Sequence, residues 1–203
     1  MNLNDFTSIL AKKDCNNISA KNRLNQHIPE FQTFLQLSDT ILKTNKCYKP
    51  LVVEIGVLDS SQKEFYAQLL NAEYYGIDIN PKSGADLIGD SGTLDMVHRL
   101  LDLLDDRKPD LVFIDGLHTY EGIKADYELY APLAKYIVGV HDILTPKLTP
   151  NDSVDVMRFW KEVWEENKED TIVTIRHHNS RPANVFNGRP LGIGVVIKGQ
   201  VTI

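Results

Sequence analysis

The sequence predicts an α/β fold: a parallel sheet with helices on both faces, preceded by a helical cap. Short apolar runs alternate along the chain with segments whose apolar residues recur at helical spacing. Strands alternating with helices of about 10–15 residues give such a sheet. The length of 203 residues suits one domain with a small appendage. Acidic residues fall where the apolar runs stop, so they gather on one edge of the predicted sheet.

Residues 1–49 are polar, rich in Asn and Lys, and carry no strand signal. Leu3, Phe6, Ile9 and Leu10 predict a short helix over 3–13. Phe31, Phe34, Leu35, Leu37, Ile41 and Leu42 predict a longer one over 29–45, opened by Pro29 in its first turn. These residues form the predicted cap. Leu51 to Ile55, bounded by Pro50 and Gly56, reads as a buried parallel strand. Ser60 and Ser61 are placed to cap a helix over 61–71, with Phe65, Leu69 and Leu70 inward. Strands follow at 74–79 and 85–89. Leu94, Val97, Leu100, Leu101 and Leu104 form a helical stripe. The fourth strand is 111–114, the next helix 119–134 with Ile123, Tyr127 and Tyr130 inward, and the fifth strand 136–140. A helix over 152–166 and strands at 171–176 and 192–198 complete the order. Trp160 and Trp164, four apart on that last helix, read as core. The irregular stretch 177–191 exceeds ordinary loop length, as functional loops often do. His177 and His178, at its start, read as solvated.

Composition narrows the partners. Lys plus Arg number 22 and Asp plus Glu 28, a net charge of −6, which argues against a general nucleic-acid coat. Cys15 and Cys47 make no disulfide framework and read as inert thiols in a reducing cytosol. The opening Met1-Asn2-Leu3-Asn4-Asp5 lacks the basic start and apolar run of a signal peptide. No apolar stretch approaches the roughly 20 residues that a bilayer demands. A cytoplasmic location and no membrane partner are therefore expected.

In an open α/β sheet, ligands bind at the carboxyl ends of the strands. Here those ends read Glu54-Ile55-Gly56, Asp78, Asp90-Ser91, Asp115-Gly116-Leu117-His118 and His141-Asp142. A single Asp or Ser at such a place often just caps the next helix. Five on one edge point to a ligand. Asp78 lies 22 residues past Gly56, the placement of an acid that bonds a ribose diol. The turn Gly56-Val57-Leu58-Asp59-Ser60-Ser61 has one glycine and an acid that would repel a pyrophosphate. An adenosine ligand without phosphate, S-adenosylmethionine, fits that turn better than a dinucleotide.

Val53-Glu54-Ile55-Gly56, Tyr75-Gly76-Ile77-Asp78-Ile79, Gly89-Asp90-Ser91, Phe113-Ile114-Asp115-Gly116-Leu117-His118-Thr119-Tyr120 and His141-Asp142-Ile143 resemble the motifs of class I S-adenosylmethionine-dependent methyltransferases. The resemblance runs from about residue 51 to the end. Phe159-Trp160 and Gly192-Ile193-Gly194-Val195-Val196 are similar to the branch of cephalosporin hydroxylase-like and macrocin-type O-methyltransferases. It implies a Rossmann-like, doubly wound sheet of seven strands with the last antiparallel, and a methyltransferase domain over 50–203 behind the 1–49 cap. It implies Glu54 and Gly56 at the methionine end of the cofactor, Asp78 on the ribose, Asp90 near the adenine amino group and Asp115 at the reacting centre, with Ser60 and Ser91 also among the cofactor-binding residues. The reaction it implies is O-methylation of a small molecule or sugar; His118, whose unperturbed pKa lies near neutrality, is the candidate catalytic base, with Asp115 to orient it or hold a metal. In metal-using relatives the acids after the fourth and fifth strands hold magnesium, which makes Asp115, His141 and Asp142 the candidate ligands here. His141 stands where an acid is expected, and magnesium prefers oxygen, so metal-free base catalysis is favoured. The single-glycine turn leaves a second reading, a methyltransferase-like binding or assembly module without turnover. A homo-oligomer is left open.

Overall fold

A computed structural model describes residues 26–59, 62–145, 153–176 and 191–199. The predicted helix over 3–13, the Ser60-Ser61 cap, Cys15 and the pair His177-His178 lie outside them.

The described chain runs α1 (Ile28–Thr44), β1 (Leu51–Ile55), α2 (Lys63–Leu70), β2 (Glu73–Asp78), β3 (Leu87–Ile88), α3 (Leu94–Leu103), β4 (Leu111–Ile114), α4 (Tyr120–Tyr130), a 3-10 turn (Ala131–Leu133), β5 (Ile137–His141), α5 (Val156–Glu166), β6 (Thr171–Ile175) and β7 (Ile193–Ile197). The strands form one sheet in the order β3-β2-β1-β4-β5-β7-β6. Strand β7 runs antiparallel to both of its neighbours, and the pairs among β1 to β5 are parallel. This is the doubly wound sheet that the strand–helix alternation predicts. Chain order reverses between β1 and β4, the point where such sheets open a crevice at their carboxyl edge.

Each strand sends alternate side chains to opposite faces. Val53, Ile55, Val112, Ile114, Val138 and Val140 face a core closed by α3, α4 and α5. Val52, Phe113, Ile137, Val195 and Ile197 face a second core closed by α1 and α2. Helix α1, read as part of a cap, packs directly on the sheet: Phe31 and Phe34 are sealed and their rings meet Phe113. The stripe of α5 is Val156, Phe159, Trp160 and Val163, four residues that complete the inner face. Trp164, expected in the core, is therefore left at the edge and is 54% exposed.

Glycine substitutes for side chains where the layers meet most closely. A Cβ on Gly194 of β7 would lie 2.5 Å from the Trp160 ring. Local capping adds to the burial. Thr93 precedes α3, and its side chain accepts from the Met96 amide at 3.3 Å. Thr93→Ala should cost about 1 kcal/mol in urea unfolding, the usual worth of such a cap; an unchanged midpoint would count against the cap.

Candidate active site

The carboxyl edge of the sheet holds a cleft of about 580 Å³, within the usual range for a small-molecule site. Gly56, Asp78, Asp90, Ser91, Asp115, His118, His141 and Asp142 all line it, so five predicted strand ends converge. The sheet ladder continues into these ends. The Gly56 amide donates to Ile77 O at 2.8 Å, Asp115 N to Ile55 O at 2.8 Å, and Gly89 N to Asp78 O at 2.9 Å.

Gly56 has φ +81°, and a Cβ there would meet the Asp115 carbonyl oxygen at 2.2 Å. The turn after β1 is thus laid directly on the turn after β4. Leu58 and Asp142, neither of them glycine, are also left-handed, with φ 54° and 60°. Both line the cleft.

The Asp78 carboxylate is fixed by two backbone donors, Leu58 N on Oδ2 at 2.9 Å and Asn80 N on Oδ1 at 2.7 Å. Each oxygen keeps a second lone pair. At the other end four side chains form one network. Asp115 Oδ1 lies 3.1 Å from His118 Nε2 and 2.9 Å from His141 Nδ1. Asp142 closes it, 3.3 Å from His118 Nδ1 and 3.4 Å from His141 Nδ1. Burial would raise the Asp115 carboxyl, but His141 and His118 outweigh it and hold that group well below the usual carboxylate range. Burial would lower His141, but the Asp115 and Asp142 carboxylates push it up to about 9. His118 is raised by the same two acids against its own burial. It is the most open of the four, with about a third of its side chain exposed.

Asp115, His141 and Asp142 were the candidates for a divalent ion. Magnesium needs several oxygens turned to one point. Here an Asp115 oxygen is turned to two imidazole nitrogens, and among the described residues no group of three His, Cys, Asp or Glu side chains is disposed to hold a metal. As arranged, these side chains are engaged with one another.

Glu54 stands elsewhere. Strand parity turns it with Val52 toward α1 and α2, fully buried beneath the cleft, where it accepts a hydrogen bond from the Tyr74 hydroxyl. Burial lifts its carboxyl well above the ordinary value, an effect that the Tyr74 bond only partly offsets. It is not among the described residues lining the cleft.

Sequence reasoning missed part of the lining. Leu58, Ile79 and Leu117 are large aliphatics left 61–73% exposed at the cleft, a surface fit for a flat ring. Ile79 directly follows the ribose candidate, a signal that was readable. Gln26 also lines the cleft and donates to Asp115 Oδ2 at 2.5 Å across 89 residues of chain, which no local pattern could show.

No family model and no curated protein matches the chain. Solved structures do match its fold. One is the MycE methyltransferase from the mycinamycin biosynthetic pathway, in complex with Mg, S-adenosylhomocysteine and mycinamycin VI, at 15% identity and TM-score 0.58. The alignment covers 91% of this chain and 54% of that one, so this chain spans about half of MycE's length. Another is the O-methyltransferase TomG from Streptomyces achromogenes, in complex with S-adenosylmethionine, at 15% identity and TM-score 0.58, covering 83% and 81% of the two chains. A third is the O-methyltransferase from Bacillus cereus, in complex with S-adenosylhomocysteine, at 14% identity and TM-score 0.57, covering 97% and 90%. The fold is that of the Rossmann-like methyltransferases.

Proposed function

We propose that the chain is an S-adenosylmethionine-dependent methyltransferase acting on an oxygen of a small molecule or sugar. The observation that carries this is a single cleft with a nucleoside-type acid, Asp78, at one end and a proton-handling network, Asp115–His118–His141–Asp142, at the other. The cleft fits that cofactor on its own chemistry. Its described lining includes four aspartates and no Lys or Arg, which favours a cationic ligand and disfavours a polyphosphate. Gly56 lets the turn after β1 lie directly against the turn after β4, which brings both ends of the cleft together.

When bound, S-adenosylmethionine supplies an electrophilic methyl on sulfur, transferred in line to the acceptor oxygen as the carbon–sulfur bond breaks. The chain's residues align the partners and take up the proton. Asp78 holds the ribose hydroxyls, with Asp90 and Ser91 beside the base. His118 accepts the proton of the acceptor hydroxyl: it is the most open of the four side chains and the one an acceptor in the cleft can reach. An acceptor hydroxyl would displace the longer of its two contacts, the 3.3 Å one to Asp142. Asp115, kept ionised, stays on Nε2 and stabilises the imidazolium that forms. The convergence of these four groups on one cleft weighs against a module without turnover. Among the described residues no helix is long and apolar enough to cross a membrane. Burial, first, and Asp110, second, raise the free Cys47 thiol to about 11, so it stays unreactive in the reducing cytosol we assign to the protein.

Titration calorimetry with S-adenosylmethionine and S-adenosylhomocysteine tests the reading. The parent protein should bind both. Asp78→Ala removes hydrogen bonds from a charged acceptor, each worth about 1.5–3 kcal/mol, so affinity should fall more than about tenfold with the fold intact. An Asp78→Ala protein of parental affinity would sink the ribose assignment.

A further inference from the structure

The segment just before α1 reaches the cleft at its reacting end. Gln26 is 6% exposed and its Nε2 donates to Asp115 Oδ2. An ionised carboxylate only accepts, so the amide nitrogen must be the atom facing it. That leaves Gln26 Oε1, a buried acceptor without a hydrogen-bond partner. Buried polar atoms in native proteins are nearly always paired, and an orphan calls for an explanation. Movement of a loose loop is a poor one here. Gln26 lies two residues before α1, whose Phe31 and Phe34 are sealed in the core. Glu30 in the same turn accepts from the Gly192 amide at 3.2 Å and ties the helix to the start of β7. The carboxamide is therefore held in place against the cleft.

We infer that the ligand supplies the missing partner, and that Gln26 is a binding residue for an ammonium group, the amino-acid end of an aminoacyl sulfonium nucleoside. A carbonyl oxygen beside a carboxylate is matched by a group with several donors and a positive charge. An ammonium has three donors, and Asp115 Oδ2 keeps one lone pair for one of them. The cleft lining carries four acids against two imidazoles, an excess of the required sign. The Gly56 turn, which abuts Asp115, sets the sulfur end of the ligand within reach of the same spot. The assignment rests on the S-adenosylmethionine reading of the cleft and adds a residue from the N-terminal segment, outside all of the matched motifs.

Two ligands that differ only at this end separate the outcomes. S-adenosylhomocysteine carries the ammonium, and 5′-methylthioadenosine keeps the nucleoside and sulfur but has no amino-acid end. Gln26→Met preserves side-chain length and removes both polar atoms. Calorimetry on the full chain should show affinity for S-adenosylhomocysteine falling by about 10- to 100-fold in Gln26→Met, the worth of a hydrogen bond to a charged group. Affinity for 5′-methylthioadenosine should stay at the parental value, which also reports that the variant is folded. Unchanged S-adenosylhomocysteine affinity would overturn the assignment. So would an equal loss for both ligands, which would mean a deformed cleft. A parent protein that binds neither ligand would overturn the cofactor reading itself, and this one with it.

Discussion

Between pH 6 and pH 10 the folded state should lose about 3 kcal/mol of stability to the deprotonation of one buried imidazole, that of His141. Its pKa in the fold is about 9, against an ordinary 6.5. Burial works against the charge, and the Asp115 and Asp142 carboxylates reverse that sign. A group whose pKa is raised by folding binds its proton more tightly in the native state. Its contribution is complete below pH 6.5, declines as the pH climbs, and is gone above about 9. Two and a half units correspond to roughly 3 kcal/mol at 1.36 kcal/mol per unit. His118 moves the same way but is a third exposed, so its share is smaller. Urea unfolding at pH 6, 8 and 10, on the parent and on His141→Phe, reads the effect of the network that His141 holds, because titrating groups outside it cancel in the difference. The difference between the two proteins should shrink across this window. A constant difference would remove the buried imidazolium from the account.

That imidazolium shows where the sequence was legible and where it was not. Asp115, His118, His141 and Asp142 could be read as neighbours because each ends a strand, and parallel strands with short register offsets bring their ends together. Ile114 pairs with Val140, so Asp115 and His141 follow as adjacent positions. The same logic placed Asp78, where Ile55 pairs with Ile77. It failed for Glu54, one residue short of the strand's end, since parity turns alternate residues under the sheet. It does not reach the metal question: Asp115, His141 and Asp142 bond to one another, and that depends on angles no spacing encodes. Gln26 was illegible for a different reason. Its role depends on how α1 docks, through Phe31 and Phe34 against Phe113, and contacts that distant in sequence leave no periodic trace. Trp164 was misread because the helical stripe counts positions, whereas the width of the sheet decides how many of them are covered.

Gly56→Ala should be the most damaging single change in the strand-end turns, with a loss of roughly 3–5 kcal/mol in unfolding free energy. Two costs add. The backbone at φ +81° lies in the left-handed region, which strains any side-chain-bearing residue there. The methyl would also arrive 2.2 Å from the Asp115 carbonyl oxygen and 2.6 Å from Gly116 Cα, both backbone atoms that no rotamer change can move. Relief requires the turn after β1 to separate from the turn after β4. The Gly56 amide would then lose Ile77 O, and Asp115 would shift relative to His118 and His141. Stability and ligand binding should therefore fail together. Gly116→Ala provides the contrast. A Cβ there meets the Asp126 carboxylate at 2.7 Å, a side chain able to rotate, so the loss should be smaller. Denaturant midpoints paired with S-adenosylhomocysteine titrations would measure both effects. A Gly56→Ala protein with parental stability would mean that the two turns are not held in contact, and the alignment of Asp78 with the Asp115 network would lose its structural basis.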